Sequence, residues 1–160
     1  MRIFGKHLSD YIGFQRVFLL MLLVVGLLRL ALSVGDVSIF IVKWLSLTGL
    51  LLIGFVYYSI RVHTSGFGSY KQLLVVLAIQ WILAQSIIIA SIILAILSGK
   101  DNAYSIPDYS QGNDGKTWSH VLAHLIVIII GTLVFWGVGS ALMFFTKRMG
   151  PASNATAARP

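Results

Sequence analysis

Residues Thr117–Thr146 read TWSHVLAHLIVIIIGTLVFWGVGSALMFFT. Thirty residues pass without a charge, and roughly 20 apolar residues suffice to cross the hydrocarbon core of a bilayer. The stretch therefore reads as the last spanning helix of a small membrane bundle. It carries His120 and His124 near its start, then Gly131, Gly137, Gly139, Ser140 and Ala141. Small residues of that kind let a neighbouring helix approach closely.

Three further apolar runs precede it. Residues 73–98 hold no charge, although Gln80, Gln85, Ser86 and Ser91 lie inside. A side-chain amide in hydrocarbon needs a partner, so Gln80 and Gln85 are expected to hydrogen-bond between helices as polar packing groups. Residues 38–60 form a second candidate span, with Lys43 and Trp44 near its entrance, Tyr57 and Tyr58 near its exit, and Gly49 and Gly54 inside. Aromatic residues at both ends match the belts found at membrane interfaces. Residues 17–34 form the first, interrupted only by Arg29. A basic start and Ala31-Leu32-Ser33 give it some likeness to a signal peptide, but the apolar run is long and Arg29 sits where cleavage signals are neutral. The link at Gly35 and Asp36 is very short, which favours antiparallel neighbours.

The expected fold class is all-α: an integral membrane protein, a four-transmembrane-helix up-down bundle over 17–146, with spans at 17–34, 38–60, 73–98 and 117–146. Residues 1–16 are basic with partly helical apolar spacing, as in a helix lying on a bilayer surface. Residues 147–160 start with Lys147 and Arg148 and continue as a small, polar, disordered tail. Residues 99–116 read as the one sizeable soluble loop, turn-rich and acidic through Asp101, Asp108 and Asp114.

Composition agrees. Hydrophobic residues make up 58% of the 160 and the mean hydropathy is +0.89, more than a water-soluble domain of this size can hide. The 12 Lys and Arg against 5 acidic residues would suggest nucleic acid in a soluble chain; here the basic residues flank apolar spans, and no nucleic-acid partner is expected. Arg2, Lys6, Arg16, Arg61, Lys71, Lys147, Arg148 and Arg159 fall on one side of the four-span arrangement. Four of the five aspartates fall on the other. The positive-inside rule then puts both termini in the cytoplasm of a multi-pass protein, in the plasma or inner membrane of a prokaryote.

His120 and His124 are four apart and share a helical face. Antiparallel threading places Arg29, Lys43, Ser91 and His124 at a similar depth, near the non-cytoplasmic surface. Each has an ordinary explanation: the cations can reach the interface and the imidazoles can bond a neighbouring helix. Together they could line a basic pocket for a lipid headgroup, a quinone or a pigment. Two histidines on one helix cannot sandwich a haem, and His7 and His63 lie at the far face. A single axial His to a chlorophyll-type pigment, or to a haem shared with another subunit, stays open. A metal on His120 and His124 would want a third ligand such as Asp101 or Asp114. No resident cofactor is expected.

Catalysis is poorly supported. The spans carry no carboxylate, Cys and Glu are absent, and Ser119 beside His120 is no triad because helix neighbours point apart. An enzyme using His and Asp at the outer face, and a small transporter or channel component, remain as alternatives. Transport usually draws on intramembrane acids or broken helices, and neither is evident. The reading favoured by the sequence is a non-catalytic accessory or structural subunit of a larger membrane complex, with membrane lipids and other membrane subunits as partners.

Overall fold

The computed structural model describes residues 2–35, 37–106 and 115–149. The chain opens with a two-stranded antiparallel hairpin, β1 (Arg2–Ile3) and β2 (Lys6–His7), in register Arg2↔His7 and Ile3↔Lys6. Its turn residues Phe4 and Gly5 both have positive φ, 48° and 87°, as the tightest hairpin turn demands. Helix α1 (Leu8–Val34) follows directly, started by Asp10, whose carboxylate accepts the His7 N–H at 2.8 Å. The periodicity of the first residues thus belongs to a hairpin and to the opening turns of α1, which run through the expected domain boundary at residue 16. Helix α1 leaves helical geometry once, at Gln15.

A short turn of helix, α2 (Ile39–Val42), precedes α3 (Leu47–Thr64). Ser46 caps α3 by accepting the Gly49 N–H at 3.1 Å. The expected span at 38–60 is therefore two pieces with a corner at 43–46, and its helix continues to Thr64. Helix α4 (Tyr70–Ser98) begins where the Gln72 side chain accepts the Ser69 N–H at 2.8 Å, and ends at Gly99, whose φ of 70° suits glycine. Helix α5 (Trp118–Met149) closes the described chain. Four helical segments are long and apolar enough to cross a membrane: Leu8–Val34, Phe40–Thr64, Tyr70–Ser98 and Trp118–Arg148. Residues 150–160 of the expected tail lie outside the described residues, as do Asp108 and Asp114 of the long connection.

The bundle is organised around α4, which packs against α1, α3 and α5. Within the apolar window of α4, 44% is buried inside the chain, against 6% for α5. Glycines set the close approaches. A Cβ at Gly26 of α1 would lie 2.9 Å from Ile87 of α4, and one at Gly139 of α5 would lie 2.6 Å from the Ser59 hydroxyl of α3. At Gly131 the Trp81 indole lies on the α5 backbone and donates to the Val127 carbonyl at 2.9 Å. A Cβ at Gly137, by contrast, would meet nothing within 4 Å among the described residues. In the middle of the bundle, Gln80 donates to Gln15 at 2.8 Å, with both side chains buried. The bond ties α4 to α1 where α1 bends.

The two ends differ. At the terminal end the hairpin docks on the helices: Tyr11 donates to the Ile3 carbonyl and Gln72 to the Phe4 carbonyl, each at 2.9 Å. The loop end gathers the end of α1, the 43–46 corner, the connection after α4 and the start of α5.

Candidate functional site

The polar residues of the loop end fall into two clusters. The first is built on Arg29, in the second-last turn of α1. Its guanidinium donates to the Leu45 carbonyl at 3.2 Å and to the Ala103 carbonyl at 3.4 Å, and lies 5.0 Å from the centroid of the Tyr104 ring. Those carbonyls sit in turns, where helix bonds do not consume them, and a fork of donors can reach both. Arginine thus fastens three pieces of chain together, although its Nε finds no partner among the described residues.

The connection after α4 is no loose soluble loop where it is described. Asn102, Ala103, Tyr104 and Ser105 are all buried. Asn102 makes this possible. Its side-chain oxygen accepts the Tyr104 N–H at 2.9 Å, forming the turn that asparagine favours, and its amide donates to the Ser91 carbonyl at 2.7 Å. The Ser91 hydroxyl turns back to the Ile87 carbonyl of its own helix, at 2.7 Å. The Tyr104 hydroxyl reaches the Gly26 carbonyl at 3.1 Å. Burial pushes the Tyr104 phenol up to about 12, with the Arg29 charge pulling the other way. Residues 102–105 plug the end of the bundle, and Arg29 and Ser91 are two of the anchors.

The second cluster joins α4 and α5. His124 Nδ1 lies 2.6 Å from the Gln85 side-chain oxygen, His124 Nε2 lies 3.1 Å from His120 Nε2, and His120 Nδ1 lies 2.6 Å from the Gly115 carbonyl. His120 is buried and His124 partly so. The i, i+4 spacing stacks the two rings on one face, and Gln85 contacts His124 from α4.

Lys43 stands apart from both. It is exposed at the corner before α3, its ammonium 4.0 Å from the Phe40 ring centroid and 5.9 Å from that of Trp44. Of the five candidate pocket residues, Arg29 and Ser91 meet through the plug, and His120 and His124 meet each other. Among the described residues, no group of three or more His, Cys, Asp or Glu converges as metal ligands would. Asp101 pairs with Lys116 at 3.2 Å. Sequence reasoning missed Asn102 and Tyr104. Their signal is a turn-forming Asn two residues before an aromatic, inside a connection otherwise read as solvated.

At the terminal end a groove of about 440 Å³ opens between α1 and α3, lined in part by Arg16, Val17, Met21, Tyr57 and Arg61. Arg61 bonds the Tyr57 hydroxyl.

Comparisons with family models, curated proteins and solved structures returned no match.

Proposed function

We propose that this chain is a non-catalytic, multi-pass membrane subunit that packs against other membrane proteins, with both termini on the cytoplasmic side. The observation that carries the reading is the outward face of α5. This helix is the least covered of the four by its own chain. Gly137 and Ala141, four residues apart, are both exposed on it, and among the described residues nothing lies within 4 Å of a Cβ at Gly137. A small-xxx-small pair on an uncovered spanning helix is the surface on which a second helix seats most closely. The chain also spends its polar groups on internal ties. Arg29, Ser91, Asn102 and Gln85 hold plug and helices in place, as suits a rigid scaffold. Cation counts on the two sides support the orientation.

Membrane lipid is the second partner. Arg16 and Arg61 line the groove at the terminal end together with Val17 and Met21, a fit for an anionic headgroup on the cations with its acyl chain alongside the apolar pair.

Purification in mild detergent, with mass measurement and cross-linking, tests the assembly. Gly137→Leu should yield a folded chain that loses its partner. Gly139→Leu should damage the fold itself, since Gly139 is packed on Ser59. A wild-type chain that runs alone, or an assembly untouched by Gly137→Leu, would count against the reading.

A further inference from the structure

The geometry points to His120 and His124 as a two-imidazole clamp for a divalent transition-metal ion, held between their Nε2 atoms. The outer edges of the two rings fix their tautomers. His120 Nδ1 faces the backbone carbonyl of Gly115 and His124 Nδ1 faces the side-chain oxygen of Gln85, each at 2.6 Å. A carbonyl oxygen only accepts, so each Nδ1 must carry its hydrogen. A neutral imidazole has one N–H. Both Nε2 atoms are then bare, with lone pairs available. They sit 3.1 Å apart while the ring centroids are 4.9 Å apart, so the bare edges lean toward each other. Two lone pairs facing at that distance repel unless a cation lies between them.

The spacing suits a metal. With metal–nitrogen bonds of about 2.05 Å, a 3.1 Å separation corresponds to an angle of roughly 100° at the ion. That lies between the right angle of square or octahedral sites and the tetrahedral angle. The surroundings fit as well. Metal-binding histidines usually donate their other N–H to a carbonyl or carboxylate, which fixes the tautomer. Here both do, one to the backbone and one to a neighbouring helix. The sequence contains no cysteine, so the donor set is imidazole nitrogen, which suits Zn²⁺, Ni²⁺ or Cu²⁺ rather than a thiolate-seeking ion. With two protein donors, the remaining positions fall to water or to a ligand from outside. Bound there, the ion would lock the start of α5 to α4 through Gln85.

Two other arrangements would silence the lone pairs. A third hydrogen could be shared between the two Nε2 atoms, making the pair a monocation. Alternatively the Gln85 amide could turn over and donate to His124 Nδ1, leaving an ordinary N–H···N bond between the rings. Either would leave no place for a metal.

The test uses the full chain in detergent, without a histidine tag and stripped of metal, titrated with Cu²⁺ and then competed with Zn²⁺. The expected result is one saturable ion per chain, with an electron paramagnetic resonance signature of two imidazole nitrogens. His120→Ala or His124→Asn should abolish it. Gln85→Leu should weaken it roughly 10- to 100-fold while keeping both ligands. The double variant His7→Ala/His63→Ala, at the terminal end, should bind as the wild type does. Thermal unfolding without metal checks that each variant is folded. Absence of saturable binding, binding that survives loss of His124 in a folded variant, or binding lost with His7 and His63 would each overturn the assignment. So would nitrogen resonances showing a proton held between the two rings that added metal cannot displace.

Discussion

Alanine at Gly131 should destabilise the bundle, and alanine six residues later at Gly137 should not. At Gly131 a new Cβ would fall within 2.6 Å of the Trp81 indole nitrogen, well inside contact distance. The ring cannot yield freely, because its N–H is bonded to the Val127 carbonyl on the same stretch of α5. Overpacking of this kind costs about 1–3 kcal/mol, and a displaced indole forfeits a bond worth about 1 kcal/mol. Removing a helical glycine returns up to about 1 kcal/mol. The net loss expected for Gly131→Ala is about 2 kcal/mol. At Gly137 nothing crowds the new methyl, so only the propensity gain remains, up to about 1 kcal/mol. The two alanines should therefore differ by about 3 kcal/mol, a factor of more than 100 in the folding equilibrium. Unfolding by a denaturing detergent, followed by circular dichroism under conditions that keep the chain monomeric, reads both. A double-mutant cycle then isolates the cause: in a Trp81→Ala background, Gly131→Ala should lose its penalty. If the penalty persists without the indole, or if Gly131→Ala is as stable as the wild type, the contact does not govern the packing of α4 on α5.

The buried amides and the plug give further tests. Gln80→Leu leaves the Gln15 side chain buried without its donor, and should cost about 1–3 kcal/mol; the double change Gln15→Leu/Gln80→Leu should recover most of that loss. Asn102→Ala removes both the turn bond to Tyr104 and the bond to Ser91, and should release the plug. Protease accessibility of 101–106 checks it, and unchanged resistance would refute the anchoring role. Tyr104 sets a pH limit. Its folded pKa is raised above the ordinary 10 to about 12, so the neutral phenol is favoured by folding. Its stabilising contribution is full below pH 10 and is lost as pH rises through about 12. The shift corresponds to about 3 kcal/mol. Tyr104→Phe should lower stability at neutral pH through the lost Gly26 bond and flatten the alkaline fall; an alkaline limb identical in Tyr104→Phe would contradict this.

The four long apolar helices were legible because their apolar runs are long and nearly free of charge: nothing charged interrupts 73–98 or 117–146. Antiparallel order followed from short connections. Fine boundaries were not, and each miss has a local cause. The hairpin at 2–7 rests on Phe4 taking positive φ, which residue type alone does not announce. The corner at 43–46 depends on Ser46 capping α3, a choice hidden inside an apolar run. Equal depth along antiparallel helices brought Arg29, Ser91, His120 and His124 to one end, yet depth says nothing of azimuth. Lys43 therefore faces outward while Arg29 turns in. Polar composition made 99–116 look solvated. The exception is Asn102, whose side chain bonds the local backbone itself and so lets a polar segment be buried. Of the glycines, Gly131 and Gly139 face neighbours and Gly137 does not, a difference that spacing on one helix leaves undecided until the partners are placed.

The guanidinium of Arg29 finally imposes an order on how the nascent polypeptide matures. Its nearer acceptor, Leu45, lies 16 residues downstream, but the other, Ala103, lies 74 residues downstream. At translation speeds of about 5–20 residues per second, roughly 4–15 s separate the appearance of the cation from that of its second ligand. During that interval the guanidinium has one of its two carbonyl acceptors and awaits the other. A chain ending anywhere between residues 46 and 102 would hold the guanidinium through the Leu45 carbonyl alone, leaving the donor that Ala103 satisfies in the full chain without its acceptor.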